Sequence, residues 1–207
     1  MKKIILAILV MILIAGCVSE KPRPHSKYYA GDWRNFRGNI IEAEDIVVYP
    51  NSGAVRDLLL KSSIEKVQIA YIPNESENAF YFVSSFEISN KLSIIYRNLF
   101  QGSREVDFYT APDNSSCLVF FLRDIPNVFS EKCFKSVPVN SIDEASEIAK
   151  ENEPVILLLG PSQTDRTIVN LKEYVVMAEG KDFSEVNRTY TDLDLSVAKL
   201  ILTLMED

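Results

Sequence analysis

The sequence predicts an α/β fold, with α+β as the alternative: a mixed β-sheet with packed helices, for which two related βαββα halves are one arrangement. Three observations predict it. Short apolar runs such as Pro154–Leu159 end at glycine or proline, as strands buried on both faces do. Two stretches have helical spacing with identical increments, Ile88, Leu92, Ile95, Tyr96, Leu99 and Leu193, Val197, Leu200, Ile201, Leu204. Both halves also follow one order of strand, Asn-Ser, helix, strand, proline turn, strand and helix. An ancient duplication would explain that order, and so would chance, because side-chain identity between the halves is low.

The globular part is expected over 40–207, with sub-halves 40–125 and 126–207 if the duplication holds. Ile46–Tyr49 reads as a strand stopped by Pro50. Asn51 or Ser52 can cap a short helix whose apolar face is Val55, Leu58 and Leu59. Lys66–Ile72 alternates loosely and suits a strand, ended by Pro73 and the polar turn 74–78. Ala79–Val83 is a continuous apolar run and reads as a further buried strand, ahead of the helix carrying Ile88 to Leu99. Glu105–Tyr109 and Cys117–Leu122 form a strand pair around the turn 111–116. Phe134–Val139 is a strand, and Asn140-Ser141 opens an acidic helix with Ile142, Ala145, Ile148 and Ala149. Pro154–Leu159 is a buried strand, Thr167–Leu171 and Glu173–Ala178 are two more, and Thr191 caps the closing helix. Asp194 sits three residues after that cap, at the positive end of the helix dipole. The closing helix is apolar nearly all round, with Ser196, Lys199, Thr203 and Glu206 as its narrow polar stripe, and is expected in the core.

The first seventeen residues decide the address. Lys2 and Lys3 precede an apolar run from Ile4 to Ala15, then Gly16 and Cys17. Counting generously to Val18, that run spans about 22 Å as a helix. The hydrocarbon core of a bilayer needs about 30 Å, so the run suits a signal peptide over 1–16 better than a span. Ile14-Ala15-Gly16-Cys17 resembles the lipobox of prokaryotic lipoproteins, with isoleucine where leucine is commoner. The resemblance covers residues 1–17 only. It implies cleavage before Cys17, a diacylglyceryl group on its thiol, and a lipid-anchored position on the extracytoplasmic side of the cell membrane. Two acyl chains hold where one does not. Low glutamine, a single histidine and abundant Ile, Glu and Lys match a thermophilic or archaeal composition. Residues 17–39 then serve as tether and docking segment; Trp33 and Phe36 would pack on the domain, and Lys21, Arg23 and Lys27 lie near the headgroups.

Removing residues 1–16 leaves 191 of 207 residues, with 20 basic and 29 acidic side chains and a formal charge of −9. Such a surface repels phosphates, so nucleic acid is not an expected partner. Cys117 and Cys133 form an even pair in an exported domain and are read as a disulfide rather than as buried thiols. Asn74, Asn114 and Asn187 each begin an Asn-x-Ser/Thr sequon, a weak signal of glycosylation.

The chemical inventory is thin. The one histidine, His25, lies in the tether, so a Ser-His-Asp or Cys-His site has no base within the domain. Zinc lacks ligands, the common nucleotide loops are absent, and no cofactor, metal or catalytic residue is assigned. The best ligand candidate is the loop 160–167, whose Ser162, Thr164 and Arg166 could hold an anion or polar solute if the preceding strand is parallel to its neighbours. An ordinary connecting turn has the same composition. Asp192 and Asp194, with Asp182 and Glu185 near in sequence, could hold calcium, but residues two apart on a helix do not converge. Their place in a first helical turn explains them structurally. Three classes remain: a non-catalytic lipoprotein that binds or scaffolds an envelope protein, a small-solute or ion-binding lipoprotein using the 160–167 loop, and a hydrolase relying on carboxylates alone.

Overall fold

The computed structural model describes residues 40–99, 103–122, 128–184 and 190–205. The signal segment, Cys17, the tether with His25, Trp33 and Phe36, and the residues Glu185, Asn187 and Glu206 lie outside the described residues. Among the described residues, no helix is long and apolar enough to cross a membrane.

The chain builds α1 (Ile40–Glu44), β1 (Val47–Tyr49), α2 (Ser52–Leu59), β2 (Lys66–Tyr71), α3 (Asn78–Leu99), β3 (Ser103–Thr110), β4 (Ser116–Leu122) and β5 (Val128–Pro138). It continues with α4 (Ile142–Ile148), β6 (Val155–Leu159), β7 (Ile168–Lys172), β8 (Val175–Glu179) and α5 (Asp192–Met205). All eight strands join one mixed sheet in the order β1-β7-β8-β6-β2-β5-β4-β3. The central four, β8, β6, β2 and β5, are mutually parallel; β4 and β3 add antiparallel on one side, and β7 adds antiparallel to β8 on the other with β1 parallel to β7. The expected α/β architecture is therefore present.

Strand alternation sorts the core into two sides. Val67, Ile69, Ile156, Leu158, Val176 and Ala178 face α2, α3 and α5. Val155, Leu157, Leu159, Val175 and Met177 face the other way, where α4 is the one helix packed on them among the described residues. The central strands are thus covered on both faces, which is why they read as unbroken apolar runs. Local signals worked where caps set them: Asn51 Oδ1 accepts from Ala54 N at 2.9 Å, and Val55, Leu58 and Leu59 are buried as expected.

Two expectations are corrected. Residues 79–83 are not a strand but the first turns of α3. The inward stripe runs Tyr81, Ser84, Ser85, Ile88, Leu92, Ile95 and Tyr96, so serines hid its helical period; Phe82 and Phe86 point to solvent, 75% and 68% exposed. Helix α5 lies in the core as expected, and Ser196 and Thr203 of its polar stripe are fully buried with it. Helix α5 lies between the sheet side of the core and α1, whose Ala43 packs on Leu195 and Ala198, so even its polar positions are enclosed. Finally, the halves do not repeat. With 79–83 helical, the first half lacks one strand of the shared order. Following the pairings across the sheet, β1 is antiparallel to β2 whereas β5 and β6 are parallel, and α2 and α4 cover opposite faces. Strands from 40–125 and 126–207 interleave in one sheet.

The far side of the sheet is tied by two devices. Cys117 and Cys133 are directly opposed on β4 and β5 and form a disulfide, with a sequence separation of 16. A closed loop of that size stabilises by about 3 kcal/mol. On the helical side Lys132 is only 1% exposed. Its Nζ donates to Ser62 O at 2.8 Å and to Ile64 O, and sits 5.8 Å from the Tyr96 ring centre. It thereby satisfies two carbonyls of the α2–β2 loop that the core would otherwise strand. Burial pushes this lysine down to about 8 against the opposing pull of Glu65.

That shift has a sign that can be measured. Between about pH 8 and 10 the unfolded chain holds a proton on this lysine that the folded chain has released, so raising pH favours the fold. Relative to Lys132→Met, the wild-type protein should gain on the order of 2–3 kcal/mol of unfolding free energy across that window, read by urea denaturation. A difference that is flat, or that falls with pH, would contradict the assignment.

Candidate ligand-binding site

Strands β2, β6 and β8 are parallel, so the segments that follow them meet at one edge of the sheet. That is where open α/β sheets bind ligands, and the 160–167 loop lies there. Strands β6 and β8 are buried from end to end, and each is followed by a glycine that close approach requires. A methyl group on Gly160 would stand 2.6 Å from Glu77 Oε2, 2.7 Å from Tyr81 Oη and 2.8 Å from Phe183 Cζ. On Gly180 it would stand 2.3 Å from the backbone N of Leu193, where α5 starts.

A first hydrogen-bond network surrounds Gly160. The buried carboxylate of Glu77 accepts from Tyr81 Oη at 2.5 Å, from Ser162 Oγ at 2.9 Å and from Ser162 N at 3.0 Å. Gly160 N donates to Tyr81 Oη and to Gln163 Oε1, both at 3.0 Å. Burial, then the neighbouring Glu77, push the Tyr81 hydroxyl well above its usual range, so it stays protonated and keeps donating. The loop after β6 is thus clamped to the first turn of α3.

A second network is centred on Glu179, at the end of β8 and only 1% exposed. It accepts from Thr164 Oγ1 at 2.6 Å and from Arg166 Nη2 at 3.2 and 3.3 Å. Thr167 Oγ1 donates to Asp192 at 2.7 Å, and Ser196 Oγ donates to the Glu179 carbonyl at 2.6 Å. Thr191 caps α5 in a reciprocal box: its Oγ1 accepts from Asp194 N at 3.2 Å, while Asp194 Oδ2 accepts from Thr191 N at 2.8 Å. Asp192 and Asp194 therefore serve the helix start, and Asp182 holds Ser184.

The three loop residues singled out from sequence do come together at this edge, but their roles differ. Ser162 and Thr164 are engaged by buried carboxylates from α3 and β8 rather than left open for an anion. Arg166 alone keeps unengaged donors. Beside it lies a pocket of about 390 Å³, walled by Leu159, Pro161, Ile142 and Met177 with Gln163, Thr164, Asp165 and Glu179. Sequence reasoning missed Glu77, Tyr81 and Glu179. The one available signal was an acidic residue and glycine closing the apolar run Val175–Glu179.

A larger cavity, about 570 Å³, opens at the other end of β2. Its rim carries Glu65, Glu131 and Glu153 beside a paired cluster in which Asp113 meets Lys66 at 2.8 Å and Lys135 at 3.5 Å. Lys66, with help from Ser115, holds the Asp113 carboxyl well below the usual range. Nearby, donor atoms of Cys117, Cys133 and Glu131 lie within 4.8 Å of one another, but both sulphurs are committed to the disulfide. Of the sequons, Asn74 turns inward on Ser76, and Asn114 is exposed in the β3–β4 turn with φ 64°. Against protein-family models, curated proteins and solved structures alike, the chain gives no match.

The Gly160 network makes a stability prediction. Tyr81→Phe keeps the ring but removes the donor to Glu77 and the acceptor for Gly160 N, at a cost of about 1–3 kcal/mol. Gly160→Ala forces a methyl into the same atoms at a similar cost. Because both disturb one network, the double variant should lose less than the sum in urea denaturation; strict additivity would show that the network does not act as a unit.

Proposed function

We propose that the chain is a lipoprotein anchored through Cys17 on the extracytoplasmic side of the membrane, whose globular domain binds or scaffolds an envelope partner or ligand rather than transforming it. The anchor rests on the order Lys2-Lys3, apolar run, Ile14-Ala-Gly-Cys17. The Cys117–Cys133 disulfide suits the oxidising compartment that such an anchor implies.

One observation carries the binding half. Both oxygens of Glu77 and both oxygens of Glu179 accept hydrogen bonds from this chain's own serine, threonine, tyrosine and arginine side chains or backbone. A carboxylate hydrolase needs two acidic groups converging on one substrate with oxygens free to exchange a proton. Here Glu77 and Glu179 belong to separate networks and hold the loop in place, while Asp192 and Asp194, also buried at this edge, accept from Thr167 and from the α5 cap. What that arrangement supports is a rigid rim for recognition.

The test of the anchor is the intact mass of unreduced protein extracted from native membranes with labile lipids preserved. The expected mass is that of Cys17–Asp207 plus a diacylglyceryl group, less two hydrogens for the disulfide. A full-length unlipidated mass would overturn the lipoprotein reading.

A further inference from the structure

Arg166 is held in an unusual position for a side chain 57% open to solvent. The buried Glu179 takes only its Nη2. Nε and Nη1, which carry three of the five guanidinium N–H donors, have no acceptor among the described residues. A guanidinium oriented by a buried carboxylate presents its remaining donors in a fixed plane, which suits a carboxylate ligand.

Asp165 stands next in the chain, also exposed, and forms no hydrogen bond or ion pair among the described residues. Both charges line the same pocket of about 390 Å³, whose other walls combine Leu159, Pro161, Ile142 and Met177 with Gln163, Thr164 and Glu179. A simple anion entering it would be repelled by Asp165 and Glu179; a simple cation would be repelled by Arg166. A molecule carrying both charges satisfies the two free groups at once.

The geometry points to a site for a small zwitterion: a carboxylate on Arg166, an ammonium on Asp165, and an apolar body over Leu159, Pro161 and Met177. Free amino acids with apolar side chains are the chemical class that fits. Ser162, Thr164, Gln163 and Glu77 act behind this surface, fixing the loop that carries both charges. The inference rests on the domain being a binding module and is independent of the lipid anchor.

Isothermal titration of the full chain in detergent tests it with phenylalanine and leucine, and with phenethylamine and hydrocinnamate as analogues keeping one charge each. Phenylalanine or leucine should bind at least about tenfold more tightly than either single-charge analogue. Asp165→Asn should remove that advantage, weakening phenethylamine and tightening hydrocinnamate, which loses a repelling neighbour. Arg166→Gln should do the converse, and thermal unfolding confirms that each variant is folded. Should Arg166→Gln fail to fold because Glu179 loses its partner, the exposed Asp165→Asn still decides. Absence of amino-acid binding at millimolar concentration, or equal affinity for hydrocinnamate, overturns the site. Neither outcome bears on the intact mass, so a failure here is distinguishable from a failure of the anchor.

Discussion

A carboxylate withdrawn from water needs donors in place of its hydration, and two such carboxylates govern the loop edge of this sheet. Glu77 lies at the start of α3 and Glu179 at the end of β8, and each is met by residues of the 160–167 loop. Without Ser162 N–H and Oγ, Glu77 would be stranded beside Gly160; without Thr164 and Arg166, Glu179 would be. The loop is ordered because leaving either carboxylate unsatisfied would cost several kilocalories per mole. Glycine at 160 and 180 is the backbone side of the same constraint, since a side chain at either would occupy space taken by these partners or by α5.

The rest of the architecture is arranged so that this edge can exist. Four parallel strands bring the ends of β2, β6 and β8 to one side, and β7 returns antiparallel on the side of β8 away from β6. Helix α5 begins beside Gly180 and hydrogen-bonds the Glu179 carbonyl through Ser196. Its inner face packs on the sheet, α2 and α3, and the short helix α1 closes over Leu195 and Ala198, leaving Lys199, Leu202 and Met205 half-buried. At the opposite end of the sheet, Lys132 and the Lys66–Asp113 pair hold loops to strands, and the disulfide ties β4 to β5.

The strand-and-cap grammar was legible wherever a signal was local. Asn51 capping, the buried run Val155–Leu159, the β7–β8 pair and the Thr191–Asp194 box all depend on residues within a few positions. The apolar run 79–83 misled because its inward stripe passes through Ser84 and Ser85, so periodicity was hidden by small polar residues. The burial of α5 was legible from its nearly all-round apolar character, but not that Ser196 spends its hydroxyl on the Glu179 carbonyl, 17 residues away. The site was half legible. Position after a buried parallel strand placed the loop, but the partners of Ser162 and Thr164 lie 85 and 15 residues away, and pairing at such distances leaves no local mark.

The account's central claim is that buried carboxylates, not turn geometry alone, fix this loop. Native-state hydrogen exchange of the Gly160 and Ser162 amides tests it most directly, since the first donates to Tyr81 and Gln163 and the second to Glu77. Protection within about tenfold of the β6 amides is expected, because the loop should open only when the strand ends do. Exchange as fast as in an unstructured chain would contradict the account and reduce the loop to a solvated connector.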